Sequence, residues 1–434
     1  MAQVFPFRGV HYAERLLAEL SNLVAPPYDR VPDDVQAALY ARHPLNIVRI
    51  TKGKAEPGDG ATESLYARAA RTLNQWLREG VLVQDPEPAL YVYHQEYSFG
   101  GERLVRKGFM ALAQLQPERV HAHEKTLKGP KEDRLRLMRA TEANLEHVFM
   151  LYHDEDRRAD RALGEAVSVL QPAMVAEDAD KNAHRIWRVN DPQVIRDVQE
   201  ALADKELYIA DGHHRFETSV NYLRECAAAG WMTAATESFD KRLMTLFNVA
   251  EPGMTIRPIH RLVHGVPGFD VESFLDAAGE RFLVSRFPTF EAMEAAARAG
   301  KDRHTFGMYA RNVYATLTLR DEAAMDQLIP SEWSRDYKRL DVSILHSAIL
   351  EPLLGIDARA LEEQTHVTYS VTLEKGKKGI ESGTEQAFFL LNPTGAEEVV
   401  RVADHGEKMP QKSTDFYPKL LTGLVAMKMQ IRKP

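Results

Sequence analysis

The sequence predicts a mixed α/β or α+β protein built from more than one lobe. Three observations carry that reading. The chain has 434 residues, well beyond the roughly 100–150 of a common single domain. Short apolar runs of strand character alternate with stretches of helical period along its whole length. No internal repeat or long low-complexity segment interrupts the alternation.

Composition sets the outer limits. Apolar residues make up 44% and charged residues 27%, which is ordinary for a chain that buries a large core. The net charge of −8 disfavours a general nucleic-acid binder, which would carry a basic face. A local basic pocket stays compatible with that average. Cys226 is the single cysteine, so no intrachain disulfide can form. No uncharged apolar run approaches the roughly 18–20 residues that span a bilayer, and the start lacks a signal-peptide core. These features together lead us to expect a cytoplasmic protein with no membrane partner.

The elements follow in order. Residues 14–20 read as helix, and Pro26-Pro27-Tyr28-Asp29 as a forced extended turn. Leu65, Ala69, Leu73, Trp76 and Leu77 set a helical stripe within 63–82. Residues 89–93 and 103–115 read as strands joined by a hairpin at Phe99-Gly100-Gly101. Leu135, Met138, Leu145 and Val148 suggest a helix, and 148–152 a strand. Asp191-Pro192 starts a helix toward Ala203, with proline at the first helical position. A short apolar strand at 206–210 runs into Asp211, and a helix continues to about Ala229. Further on, 305–310 and 313–319 form a hairpin across Arg311-Asn312, 341–354 a helix and 386–391 a strand. A last helix is expected from about Pro418. The expected division is 1–100, an N-terminal α/β region; 101–235, a core; and 236–434, a C-terminal α+β region that contributes to the site.

The strongest chemical signal is Asp211-Gly212-His213-His214-Arg215, between an apolar strand and a helix. Glycine allows a sharp turn, and the start of a helix attracts anions through its N–H groups and dipole. Arg215 can hold a phosphate bidentately, His213 and His214 can donate to its oxygens, and Asp211 can bind magnesium. A second signal is His121-Ala122-His123-Glu124-Lys125-Thr126, where Glu124 suits a general base. Tyr28 and Asp29 after the diproline, and Lys412, Ser413 and Thr414 near the end, are candidate substrate contacts. Tyr417, Lys419 and the cluster Arg257, His260 and Arg261 are weaker ones. No Walker loop and no G-x-G-x-x-G helix start is present, which disfavours P-loop and Rossmann enzymes.

These motifs carry a resemblance. His123-Glu124 before a helix, then a strand leading to Asp211-Gly212-His213-His214-Arg215, is similar to the core shared by archaeal free-serine kinases, sulfiredoxin and ParB-like domains, over residues 104–228. The whole chain resembles the bacterial and archaeal family called domain of unknown function 1015, through Ala25-Pro26-Pro27-Tyr28-Asp29, His123-Glu124-Lys125-Thr126, the segment 210–218 and Met409-Pro410-Gln411-Lys412-Ser413-Thr414. The resemblance implies a ParB/sulfiredoxin-like core at 101–235. It also implies phosphoryl transfer between a nucleotide and serine or phosphoserine, with magnesium and ADP or ATP. Glu124, His213 and His214 are then catalytic, and Gly212 to Arg215 bind phosphate. Tyr28, Asp29, His123, Lys125, Thr126, Lys412, Ser413 and Thr414 contact substrate, and Asp211 holds the metal. Two competing readings stand beside this one. The first is a phosphoserine phosphatase or other metal-dependent hydrolase with histidine ligands. The second is a non-enzymatic, ParB-like nucleotide-binding regulator. Reaction direction and oligomeric state stay open.

Overall fold

The computed structural model describes residues 3–60, 63–122 and 128–434. His123, Glu124, Lys125 and Thr126 lie outside the described residues. The chain divides into two compact units, one of residues 1–255 and 418–434 and one of residues 256–417.

In the first unit nine of the described strands build one sheet. They are β1 (Val4–Phe5), β2 (Leu90–Phe99), β3 (Glu102–Gln114), β4 (Val120–Ala122), β5 (Val148–Tyr152), β6 (Met174–Glu177), β7 (Ala183–Val189), β8 (Leu207–Asp211) and β9 (Lys241–Asn248). The order is β4-β8-β5-β9-β3-β2-β7-β6, with β1 added on β3. β4 runs parallel to β8 and β5 parallel to β9; the other pairs are antiparallel. Such a mixed sheet needs both hairpins and helical crossovers, which is what the alternating sequence supplies.

Five helices of this unit matter below: α1 (Leu65–Arg78), α2 (Lys128–Thr141), α3 (Arg158–Val167), α4 (Pro192–Leu202) and α5 (His213–Ala228). Ala159, Leu163 and Val167 of α3, Val198 and Leu202 of α4, and Phe216 and Val220 of α5 share one core with Val92, Phe109, Val148, Met150 and Ile209 of the sheet. The apolar stripe of each helix meets one face of alternating strand residues. Asp191 caps α4 through its side chain, accepting from Gln193 N at 2.7 Å.

The second unit has a six-stranded antiparallel sheet of its own, formed by His260–Val263, Phe282–Phe287, Thr305–Ala310, Val313–Leu319, Val367–Ser370 and Ala387–Leu390. Its hairpin turns at Arg311 and Asn312 with φ of 43° and 65°, the left-handed pair that matches strand twist. The mixed α/β class read from the sequence is the observed one.

Strand pairing runs across residues 100 and 235: β2 and β3 straddle the first, and β9 inserts between β5 and β3. Two local expectations change. The helix read through Leu145 ends at Thr141, where Glu142 turns left-handed with φ 45°. No helix follows Pro418. The backbone there is held extended, with Ala25 bridged to Thr422 and Val10 to Ala426. Among the described residues, no helix is long and apolar enough to cross a membrane.

Gly108 in β3 has no room for a side chain. An added Cβ would run into the carbonyl oxygen of Leu246 and the Phe247 ring. Overpacking of this kind costs about 1–3 kcal/mol. Gly108→Ala is therefore expected to lose roughly that much in urea denaturation, and an unchanged midpoint would show that the strand can shift.

Candidate functional site

β8 is a buried apolar strand that ends at Asp211. Gly212 follows in the left-handed region with φ 95°, and α5 starts at His213. Glycine is required here on two counts. The positive φ strains other residues, and a Cβ would stand 3.0 Å from the Arg215 guanidinium. A helix start after a strand end gathers N–H groups and a positive dipole end, the usual setting for an anion.

Asp211 is held between two cations. Its Oδ2 lies 3.2 Å from Lys419 Nζ, and its Oδ1 3.6 Å from an Arg215 nitrogen. Burial pushes the Asp211 carboxyl up. Lys419 and Arg215 overcome that and leave it far below the usual carboxylate range. Lys419, only a weak candidate in the sequence, is thus placed at the centre of the turn.

A buried latch sets the position of Lys419. Gln95 Nε2 donates to the Lys419 carbonyl at 3.0 Å, and Arg106 donates to the Pro418 carbonyl. Arg106 also donates from Nε to Gln95 Oε1 at 3.0 Å, and its guanidinium lies over Phe149 and Phe247 at 4.7 and 4.8 Å. Burial pushes Arg106 down to about 10, still charged at neutral pH. His147 ties the same segment to the sheet, with Nε2 against Val425 O at 2.6 Å and Nδ1 against Thr245 Oγ1 at 2.7 Å.

Arg215 turns inward. It is 5% exposed and donates to the carbonyl of His147 as well as facing Asp211. From there its guanidinium supports the turn beneath Gly212. Burial acts to lower its pKa, but Asp211, Glu146 and Asp29 more than offset it. Glu146, which the sequence reading missed, is a hub. It accepts from Tyr28 N at 2.8 Å and faces Arg134 at 3.5 Å. Arg134 in turn lies over the Tyr28 ring at 4.2 Å. The diproline turn is thereby docked beside the Asp211 turn, bringing Tyr28 and Asp29 to the same place. A cavity of about 30 Å³, room for about one water, lies behind it between Arg134, Glu146, Arg215 and Arg242. Burial, with Arg215 close by, pushes Arg242 down to about 9.

His213 is buried and His214 half-buried. Burial lowers the His214 pKa, and Glu217 and Asp29 only partly restore it. His214 is therefore neutral at pH ~7, able to donate or accept but not to act as a fixed cation. Lys131 of α2 reaches Glu217 of α5 at 2.8 Å, an ion pair at this edge. His121 stacks on Tyr208 at 4.8 Å and faces Glu206 at 3.3 Å.

The other candidates belong to the second unit. Lys412 takes φ 58°, and Ser413, 2% exposed, donates to Pro410 O at 2.5 Å to close its own turn. Thr414 lies in the same segment. Arg257 pairs with Asp415 at 2.7 Å. His260, pushed down to about 3 by burial, accepts from Leu391 N at 3.2 Å. Arg261 is fully buried against Tyr369. Arg257, His260, Arg261 and Ser413 thus each have a partner within the second unit. Among the described residues, no three histidine, cysteine or carboxylate side chains gather as a metal site.

The family model of a protein of unknown function, DUF1015, matches residues 4–343. The chain belongs to that family. A search of curated proteins returns no match. Among solved structures, the chain is similar to a conserved hypothetical protein from Pyrococcus furiosus at 13% identity and TM-score 0.33, covering 72% of this chain and 92% of that one. It is also similar to a free serine kinase in complex with AMP at 12% identity and TM-score 0.34, covering 71% and 86%. A third is SbnI from Staphylococcus aureus at 8% identity and TM-score 0.33, covering 72% and 85%.

Lys419→Met tests the heart of this family member's site. The variant leaves Asp211 half-buried with one cation fewer and should lose about 1–3 kcal/mol at neutral pH. Asp211 has a depressed folded pKa, so its contribution is present above the unfolded value of about 3.9 and lost as pH falls through the folded value. The stability gap between parent and variant should be full at pH ~7 and narrow below about pH 4. A gap independent of pH would place the Lys419 contribution elsewhere.

Proposed function

We propose that this protein is a cytoplasmic phosphotransferase that moves a phosphoryl group between a nucleotide and serine or phosphoserine. The observation that carries the reading is the strand-to-helix turn at Gly212, where α5 starts with Asp211 pinned beside it by Lys419 and Arg215. A phosphate seated there meets backbone N–H donors, the helix dipole and the His213 and His214 rings, while Arg215 fixes the turn from below. Tyr28 and Asp29 supply an edge for the small substrate, and Lys131 a cation at the rim. Lys412, Ser413 and Thr414 are kept as proposed substrate contacts, as are His123, Lys125 and Thr126.

The reacting groups come from the resemblance to serine kinases. Glu124 takes the proton of the serine hydroxyl as the oxygen attacks phosphorus, and returns it to the leaving oxygen when phosphoserine is the donor. His213 and His214 hold the transferred group in line, since positioning and electrostatics dominate phosphoryl transfer. Magnesium fits this site in one way only, held chiefly by nucleotide phosphates with Asp211 as a contributing carboxylate, because Asp211 already answers two cations. It would supply charge neutralisation of the phosphates.

Glu124→Gln should bind nucleotide almost as the parent does and lose on the order of 10²–10⁴ in single-turnover transfer. The assay supplies phosphoserine and magnesium with ADP, AMP or water in separate reactions, and follows serine and the phosphorylated acceptor. Transfer to a nucleotide supports the proposal. Equal rates for parent and variant remove Glu124 as base. Phosphate release in water alone points to a hydrolase.

A further inference from the structure

On the sheet face covered by α3, a cleft of about 350 Å³ opens between that helix and strands β2, β3 and β7. This is the size of a small-metabolite pocket. Its walls divide by chemistry. Val92, Leu163, Val167 and Trp187 form an apolar floor. His94 packs against Trp187 with ring centroids 4.7 Å apart, which adds a planar wall.

The rim is cationic. Lys107 and Arg157 converge on one carboxylate, Glu251, at 3.7 and 2.9 Å. That trio carries an excess positive charge. Arg161, one turn along α3 from Arg157, also lines the opening. Asp160 lines the cleft too. Its carboxylate accepts from Tyr152 at 3.1 Å and Asn248 at 2.8 Å, so its oxygens point into the fold. Burial raises its pKa above the usual carboxylate value. Burial also pushes His94 down to about 4, so its ring is a neutral hydrogen-bonding group at neutral pH.

Gly164 lies within α3 and lines the cleft on its exposed side. Its φ is not positive, and an added Cβ would meet nothing within 4 Å, so a larger side chain there can enter the cleft.

We infer that this cleft is a binding site for a small amphipathic anion, with a planar or apolar body against Trp187 and His94 and a carboxylate or other acidic head at the Lys107, Arg157 and Arg161 rim. The site is independent of the proposed phosphotransfer, since none of its residues belongs to the Asp211 turn or its supports.

Titration of the full chain with anilinonaphthalene sulfonate, a planar apolar anion, tests this by probe fluorescence and quenching of tryptophan emission. Saturable binding of one probe per chain is expected. Gly164→Trp should fill the cleft, and Arg161→Glu should reverse charge at its rim; each should weaken binding about tenfold or more. Gly164→Ala should bind the probe as the parent does while raising Tm, which separates lost space from lost helix. Inorganic phosphate, which lacks an apolar body, should not compete. No saturable binding, equal affinity in parent, Gly164→Trp and Arg161→Glu, or displacement by phosphate alone would each overturn the inference.

Discussion

Asp211 carries a charge that burial disfavours. Taking a carboxylate partly out of water favours its neutral form, and only close cations reverse that preference. Lys419 and Arg215 provide the reversal from two sides and two distant parts of the chain. The arrangement around the turn follows from that need. Gly212 must lack a side chain because the Arg215 guanidinium lies directly beneath it. Arg215 must stay charged and buried, so a backbone carbonyl and the Asp211 carboxylate both face it.

The same constraint explains why the end of the chain returns to the sheet. Lys419 can reach Asp211 only if the backbone at 418–419 is fixed, and its carbonyls are polar groups that need donors once buried. Gln95 and Arg106 satisfy them from neighbouring strands, with Arg106 itself supported by two aromatic rings. His147 fastens the segment further along at Val425. A buried cation thus links strand register to the placement of a second cation at the site. Glu146 plays the matching part for the diproline turn, gathering Tyr28 N and Arg134.

Much of the frame was legible in the chain because it rests on local patterns. The strand before Asp211, the left-handed Gly212, the helix after it and the hairpin at Arg311-Asn312 all follow from residue periodicity and turn chemistry. The segment after Pro418 was misread because apolar residues in a short stretch suit helix and extended chain alike. Bridges to residues 10 and 25 decided the matter. Leu145 was misread for a related reason: a left-handed Glu142 ends the helix, and glutamate gives no signal for that conformation.

The sequence by itself determined the mixed α/β class, the family motifs and the strand-to-helix turn that centres the site. These depend on contacts within a few residues, where side-chain type limits backbone shape directly. Only the tertiary structure decided which charges meet there. It turned Arg215 inward, brought Lys419 across 208 residues to Asp211, made Glu146 a hub and joined both chain ends into one unit. Such choices depend on how buried charges and carbonyls find partners across strands, and no local pattern encodes a partner that far along the chain.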